Sequence, residues 1–161
     1  MPFSQQRLVR SPTGADLNLY VKETSGQPRA VVQINHGLAE HAARYARFAD
    51  FLAKRGCHVY VQDHRGHGAT RAPDAPLGKF ADVDGGAKVI ADVTAIHDLI
   101  AGEHPSVPVI LFGHSMGASV ALNFLLRHSA RVHAAAIWNG NFSQGLLSQL
   151  ALAILGWERM R

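Results

Sequence analysis

Apolar and polar positions alternate over residues 7–10 and 17–22, on either side of the turn Ser11-Pro12-Thr13-Gly14-Ala15-Asp16. This predicts an antiparallel hairpin with one wet face. Beyond it the period changes. Residues 30–35, 57–62, 107–112 and 132–138 are short, mostly apolar runs of the kind found in buried strands. Residues 41–55 place Tyr45, Phe48 and Leu52 at helical spacing, and Gly56 supplies the stop. Residues 86–100 line up Ile90, Val93, His97 and Ile100, and residues 116–128 are apolar nearly all round, which predicts a buried helix. Residues 69–83, with Pro73, Pro76 and Gly78, read as loop, and 146–157 as a last apolar helical stretch. Strand–helix alternation implies a mostly parallel sheet with helices on both faces. Ligands of such sheets bind at the carboxyl ends of the strands, so His36-Gly37, Asp63 and Ser115 should share one rim.

Ser115 stands out on that rim. Gly113-His114-Ser115-Met116-Gly117 directly follows the run 107–112 and opens an Ala/Leu-rich helix. Strand, Gly-x-Ser-x-Gly and helix together are the context of a nucleophile elbow. The glycines allow a sharp turn that lifts the Ser115 hydroxyl onto the rim. The bland use of the same serine is to cap the following helix. A nucleophile needs donors aimed at the developing oxyanion, each worth on the order of 3 kcal/mol in the barrier. The Met116 backbone N–H, at a helix start with a favourable dipole, is one.

Composition narrows the classes. At 47% hydrophobic and 17% charged residues, 161 positions make one ordinary domain rather than a disordered chain. The formal charge of +4 is spread over scattered arginines without a basic–aromatic stripe, which argues against nucleic acid as a partner. Cys57 stands alone, reads as a small buried residue opening a strand, and fits a reducing compartment. The first residues carry no export signature, so a cytoplasmic location is expected.

Three blocks carry a resemblance: Asn35-His36-Gly37-Leu38-Ala39-Glu40-His41 with Arg44-Tyr45, then Asp63-His64-Arg65-Gly66-His67-Gly68, then the elbow. In order and spacing they resemble the α/β-hydrolase superfamily, in its monoacylglycerol lipase and lysophospholipase-like branch, grouped with serine aminopeptidase-type hydrolases. The resemblance implies an α/β-hydrolase fold with an N-terminal antiparallel hairpin, of which this chain holds the N-terminal portion and ends after about the sixth strand. It also implies that the Leu38 backbone N–H is the second oxyanion donor. Ala39 stands where many relatives have glycine. His36, Glu40 and His41 are expected to brace the loop, since a carboxylate beside histidines forms charge-assisted hydrogen bonds. Asp63 is expected to sit in a turn that shapes the rim. Asp63-His64-x-x-His67 tempts a metal reading, but a glycine loop offers no array of three or four ligands, so no metal and no cofactor are expected.

In the resembling family the segment after the sixth strand begins a cap over the site. This divides the chain into residues 1–143, core, and 144–161, the start of a lid. Asn139, Phe142 and Leu146 would then lie near the entrance. The stretch 146–157 is too short to span a bilayer, and as part of a lid would receive an acyl chain or touch a lipid surface. The triad of these enzymes runs Ser, acid, His in chain order. After Ser115 the only acid is Glu158 and the only histidines are His128 and His133, both before it. By resemblance the acid and base would follow two further strands, supplied by a second chain or missing segment. The expected function is a serine carboxylic ester hydrolase acting on a small-molecule acyl ester or lipid. This chain alone would be nearly inactive. The other readings are a degenerate half-hydrolase that binds a ligand or partner, and a peptidase or C–C hydrolase on the same fold.

Overall fold

A computed structural model describes residues 3–140. The hairpin forms from β1 (Gln5–Arg10) and β2 (Asp16–Lys22), paired Gln5↔Val21 through Arg10↔Asp16. Then come β3 (Ala30–Asn35), a 3-10 turn (Ala42–Tyr45), α1 (Ala46–Ala53), β4 (Cys57–Gln62), α2 (Gly85–Glu103), β5 (Val109–His114), α3 (Met116–His128), a second 3-10 turn (Ser129–Arg131) and β6 (Ala134–Trp138). The sheet order is β1-β2-β4-β3-β5-β6, antiparallel up to β4 and parallel from β4 to β6. β3 is buried at every position, as a central parallel strand requires. Val32, Ile34, Val59 and Val61 meet the 3-10 turn and α1 on one face. On the other, Val31, Val109 and Leu111 meet α2 and α3 through Ile96, Ile100, Val93 and Phe124.

Several expectations need correction. The strand expected at 107–112 runs from Val109 to His114. Pro108 has no N–H to donate, although its carbonyl accepts from Val31 N at 2.9 Å. At the far end, Gly113 and His114 pair with Ile137 and Trp138 and prolong the ladder. The expected helix over 41–55 opens as a 3-10 turn and is α-helical only from Ala46. α3 is not buried all round: Gly117, Ala118, Val120, Ala121 and Phe124 face the sheet, while Leu126 is 77% exposed. Cys57 does open a strand, but is only half-buried.

The loop between β4 and α2 is tied down by a buried polar network that the sequence pattern does not announce. Arg65 is fully buried and donates to Asp74 Oδ1 at 2.5 Å. Its Nη1 lies 3.8 Å from Asp92 Oδ2 on α2. Asp92 Oδ1 accepts the hydroxyls of Ser11 and Thr13 at 2.5 and 2.6 Å, so the hairpin turn, the loop and α2 share one carboxylate. Burial raises the Asp92 carboxyl pKa, and the two hydroxyl bonds pull it back.

Candidate active site

β5 runs into α3 with a single residue between them, and that residue is Ser115. Its backbone sits at φ 54°, ψ −117°, a conformation L-residues seldom adopt outside strained functional turns. Two close approaches require it. A Cβ at Gly113 would run into Gly117 and Ala118 of the first turn of α3, and one at Gly117 would run into the backbone of Asn35 and His36 at the end of β3. The elbow is thus pressed against both its own helix and the neighbouring strand. Ser115 N donates to Trp138 O at 3.0 Å, which fastens the elbow to the end of β6. The Ser115 hydroxyl makes no capping bond to α3 and is partly exposed at the rim.

The loop after β3 lies beside it, with a Cβ placed on Gly37 falling 3.3 Å from Ser115 Cβ. Two buried groups fix this loop. His64 N donates to His36 Nε2 at 2.9 Å, so the His36 proton sits on Nδ1, which donates to Gly37 O at 2.8 Å. That carbonyl shares a trans peptide plane with the Leu38 N–H, so the bond sets the direction in which the amide points. Glu40 Oε1 accepts from Gly37 N at 2.5 Å, from the Tyr45 hydroxyl at 2.7 Å and from His114 Nδ1 at 3.1 Å. One carboxylate oxygen therefore ties the loop to the elbow, because His114 precedes Ser115. These bonds hold Glu40 below the ordinary carboxylate range although burial opposes them. Ala39 takes φ 54°, the left-handed region that costs an alanine roughly 1 kcal/mol and that a glycine enters freely. Neither Leu38 N nor Met116 N donates to any described residue, and Leu38 is 60% exposed. The residues just before these two amides, Gly37 and Ser115, are the ones that approach each other at the rim.

The family described as "Serine aminopeptidase, S33" (Hydrolase_4) matches residues 26–159. The chain belongs to this family. Curated relatives include the monoacylglycerol lipase of Mycolicibacterium smegmatis, 36% identical over 101 residues covering 63% of this chain and 34% of that protein. The human monoglyceride lipase is 33% identical over 103 residues, 64% of this chain and 32% of that one. Among solved structures, a thermostable carboxyl esterase from Bacillus coagulans, in complex with glycerol, superposes with TM-score 0.74 at 27% identity, over 84% of this chain and 43% of its own. The six strands are therefore part of an α/β-hydrolase fold, and this serine aminopeptidase-family chain spans about a third of the length of the curated relatives it matches.

Asp63 anchors the rest of the rim in this S33 chain. Its buried carboxylate accepts from Asn18 Nδ2 at 2.7 Å, Ala42 N at 2.7 Å and Ala69 N at 2.9 Å, joining β2, the 3-10 turn and the loop after β4. Behind it stack His36, His64 and His67, with ring centroids 4.5 Å (His36–His64) and 5.5 Å (His36–His67) apart. Burial pushes the His64 imidazole well below its ordinary range, helped by the neighbouring His36 and His67, and burial also lowers His36. Both rings hold a proton less readily in the fold than in the unfolded chain, so below pH 6.5 unfolding takes protons up. Their contribution to stability is complete above the unfolded value of 6.5 and is lost as pH falls below it, by up to about 1.4 kcal/mol per pH unit per ring. Urea midpoints at about pH 7.5 and 5.5 should differ accordingly, and less in His64→Phe; identical wild-type midpoints would mean that the rings are already charged in the fold.

His41 does not share in the bracing of the loop: it is exposed, and its side chain bonds none of the described residues. Asn139 follows β6 at φ 51°, while Phe142 and Leu146 lie outside the described residues, as does the stretch expected to form a lid. His133 N bonds Val109 O at the opening of β5, the end of the sheet away from Ser115, and His128 packs on Phe124 at the end of α3. Neither reaches the elbow. The described residues contain no group of three or more His, Cys, Asp or Glu able to hold a metal ion. No described helix is long and apolar enough to cross a membrane. The partnership of Tyr45 and His114 with Glu40 escaped the sequence reading, which counted Tyr45 as an apolar helix position; its only signal was a hydroxyl and an imidazole within the motif blocks.

Proposed function

We propose that the chain carries the nucleophile and oxyanion half of a serine carboxylic ester hydrolase of monoacylglycerol lipase or lysophospholipase type. The single observation that carries this reading is the strained Ser115 backbone at the β5–α3 junction, its hydroxyl uncommitted to helix capping, beside a loop whose peptide planes are pinned by His36 and Glu40. Ser115 Oγ would attack the ester carbonyl, forming the C–O bond as the carbonyl electrons move onto oxygen. The Leu38 and Met116 amides would receive that oxyanion without having to turn. The hydroxyl proton passes to a base that the described residues do not contain, and then to the departing alcohol. The acid and histidine of the triad belong to the remaining part of the fold. The relatives named lipases and an esterase support an acyl ester or lipid as substrate.

Without its base such a site keeps only about 10³–10⁴-fold over the uncatalysed rate. The chain should therefore label slowly with an alkyl fluorophosphonate at Ser115, and Ser115→Ala should not label at all. Adding the complementary C-terminal portion should restore ester hydrolysis by a further factor of about 10² or more. Labelling that survives Ser115→Ala, or complementation that leaves the rate unchanged, would remove the proposal.

A further inference from the structure

At the amino ends of β3 and β5, residues 27–29 and 103–108 border a cleft of about 470 Å³. Ser115 lies at the other end of the sheet, which the six residues of β3 set roughly 20 Å away. The chain also leaves the described residues at that other end, past Trp138. The apolar part of the cleft is stiff, because Pro28, Pro105 and Pro108 each have a fixed φ. Val31 N donates to Pro108 O at 2.9 Å and Val107 N to His104 O at 3.1 Å, which ties one wall to the sheet and to the end of α2.

The polar part consists mostly of uncommitted donors. The side chains of Gln27, Arg29 and Ser106 bond none of the described residues. Arg29 is nevertheless held in place. Its backbone N–H donates to Gly56 O at 2.8 Å, and its stem lies over Gly56, where an added Cβ would come within 3.1 Å of Arg29 Cδ. The stem fills the space that a side chain at Gly56 would take, and the guanidinium is left for the cleft. The lining carboxylate, Glu103, is already engaged. Arg7 donates to its two oxygens at 2.7 and 3.0 Å, and the Tyr60 hydroxyl donates to Oε2 at 2.7 Å. That bond uses the single Tyr60 proton, so His104 Nε2 donates to the Tyr60 oxygen at 2.8 Å, which fixes the ring. A cation therefore meets no free carboxylate in this lining, whereas an anion meets a guanidinium, an amide and a hydroxyl.

The donor set selects the anion. A guanidinium offers two parallel N–H groups to two oxygens. The Gln27 amide and the Ser106 hydroxyl remain for a third oxygen, which a phosphoryl group has and a carboxylate lacks. The cleft is larger than one phosphate and falls within the range of small-molecule sites, with Pro28, Pro105 and Val107 as apolar surface for the rest of a ligand. We propose that it binds the phosphoryl group of a small phosphomonoester, with Arg29 as the bidentate partner. This is a second site, and it does not rest on the reading of Ser115.

The probe is phenyl phosphate, titrated into the full chain by calorimetry and by amide NMR. It should bind saturably and shift the amides of Gln27, Arg29, His104, Ser106 and Val107. Arg29→Ala should weaken it at least about tenfold, and Arg29→Lys nearly as much, because an ammonium lacks the fork. Ser106→Ala should weaken it about threefold. Arg127→Ala removes an exposed arginine of α3 and should change nothing. Benzoate lacks the third oxygen and inorganic phosphate lacks the ring, so each should bind at least about tenfold more weakly. Vesicles containing phosphatidic acid should sediment no more of the wild-type chain than of Arg29→Ala. Absence of saturable binding, equal affinity in Arg29→Ala, or an equal loss in Arg127→Ala overturns the inference. So do shifts centred on Leu38 and Ser115, and benzoate or inorganic phosphate bound as tightly as the ester. Vesicles retained through Arg29 overturn it in favour of a membrane. Should Arg29→Ala fail to fold by circular dichroism, Arg29→Lys and Ser106→Ala decide, and wild-type affinity in both overturns it.

Discussion

Gly117→Ala should destabilise the chain by on the order of 3 kcal/mol and slow fluorophosphonate labelling of Ser115 by roughly 10²-fold. The added methyl would meet the backbone of Asn35 and His36, which a side-chain rotation cannot move aside. Relief requires α3 to back away from the end of β3, and that displaces the Ser115 hydroxyl and the Met116 amide together. Gly102→Ala is the matched control. It lies in α2 with open space around it, and should stabilise by about 0.5–1 kcal/mol through helix propensity. Urea unfolding of the two variants, together with labelling rates, checks the contrast. If Gly117→Ala were as stable as Gly102→Ala and labelled at the wild-type rate, the tight contact between elbow and β3 would not exist.

Asp63→Ala should cost about 3–5 kcal/mol, a large share of the 5–15 kcal/mol that holds a typical domain. It leaves Asn18 Nδ2 and Ala42 N buried without an acceptor, each worth about 1–3 kcal/mol, and releases Ala69 N at an exposed position of the loop. Asp63→Asn should cost less but still be severe, because its amide would turn a donor toward one of these N–H groups. Lengthening to glutamate brings no rescue, since the carboxylate already fills the space above Gly68. The discriminating measurement is the unfolding free energy of the three variants. A loss under about 1 kcal/mol in Asp63→Ala would show that water replaces the carboxylate, and that the loop after β4 is not organised by it.

The elements that were legible from sequence are those governed by local chemistry. β3, β4 and α3 fall where the apolar runs and the glycine–serine–glycine turn place them, because a buried parallel strand and a helix start are written in adjacent residues. The misses are local too: Pro108 delays the opening of β5, and the helical stretch 41–55 is 3-10 up to Tyr45 and α-helical only from Ala46. What could not be read is long-range polar pairing. Asp92 meets Ser11 across 81 positions, and His114 meets Glu40 across 74. No periodicity records such contacts, because hydroxyls, imidazoles and carboxylates at those places satisfy the same hydropathy pattern whether or not they meet. The rim shared by Ser115, His36-Gly37 and Asp63 was legible because strand ends in a parallel sheet converge whatever the loops do.

The bond from the Ser115 amide to the Trp138 carbonyl makes one proton a reporter for the whole edge of the molecule. Exchange of that proton with heavy water requires the outermost strand to part from the turn, so its lifetime measures how firmly the border is seated. A companion that stiffens the border would lengthen that lifetime and steady the serine in the same motion, whereas fraying there would loosen the serine long before the interior gave way.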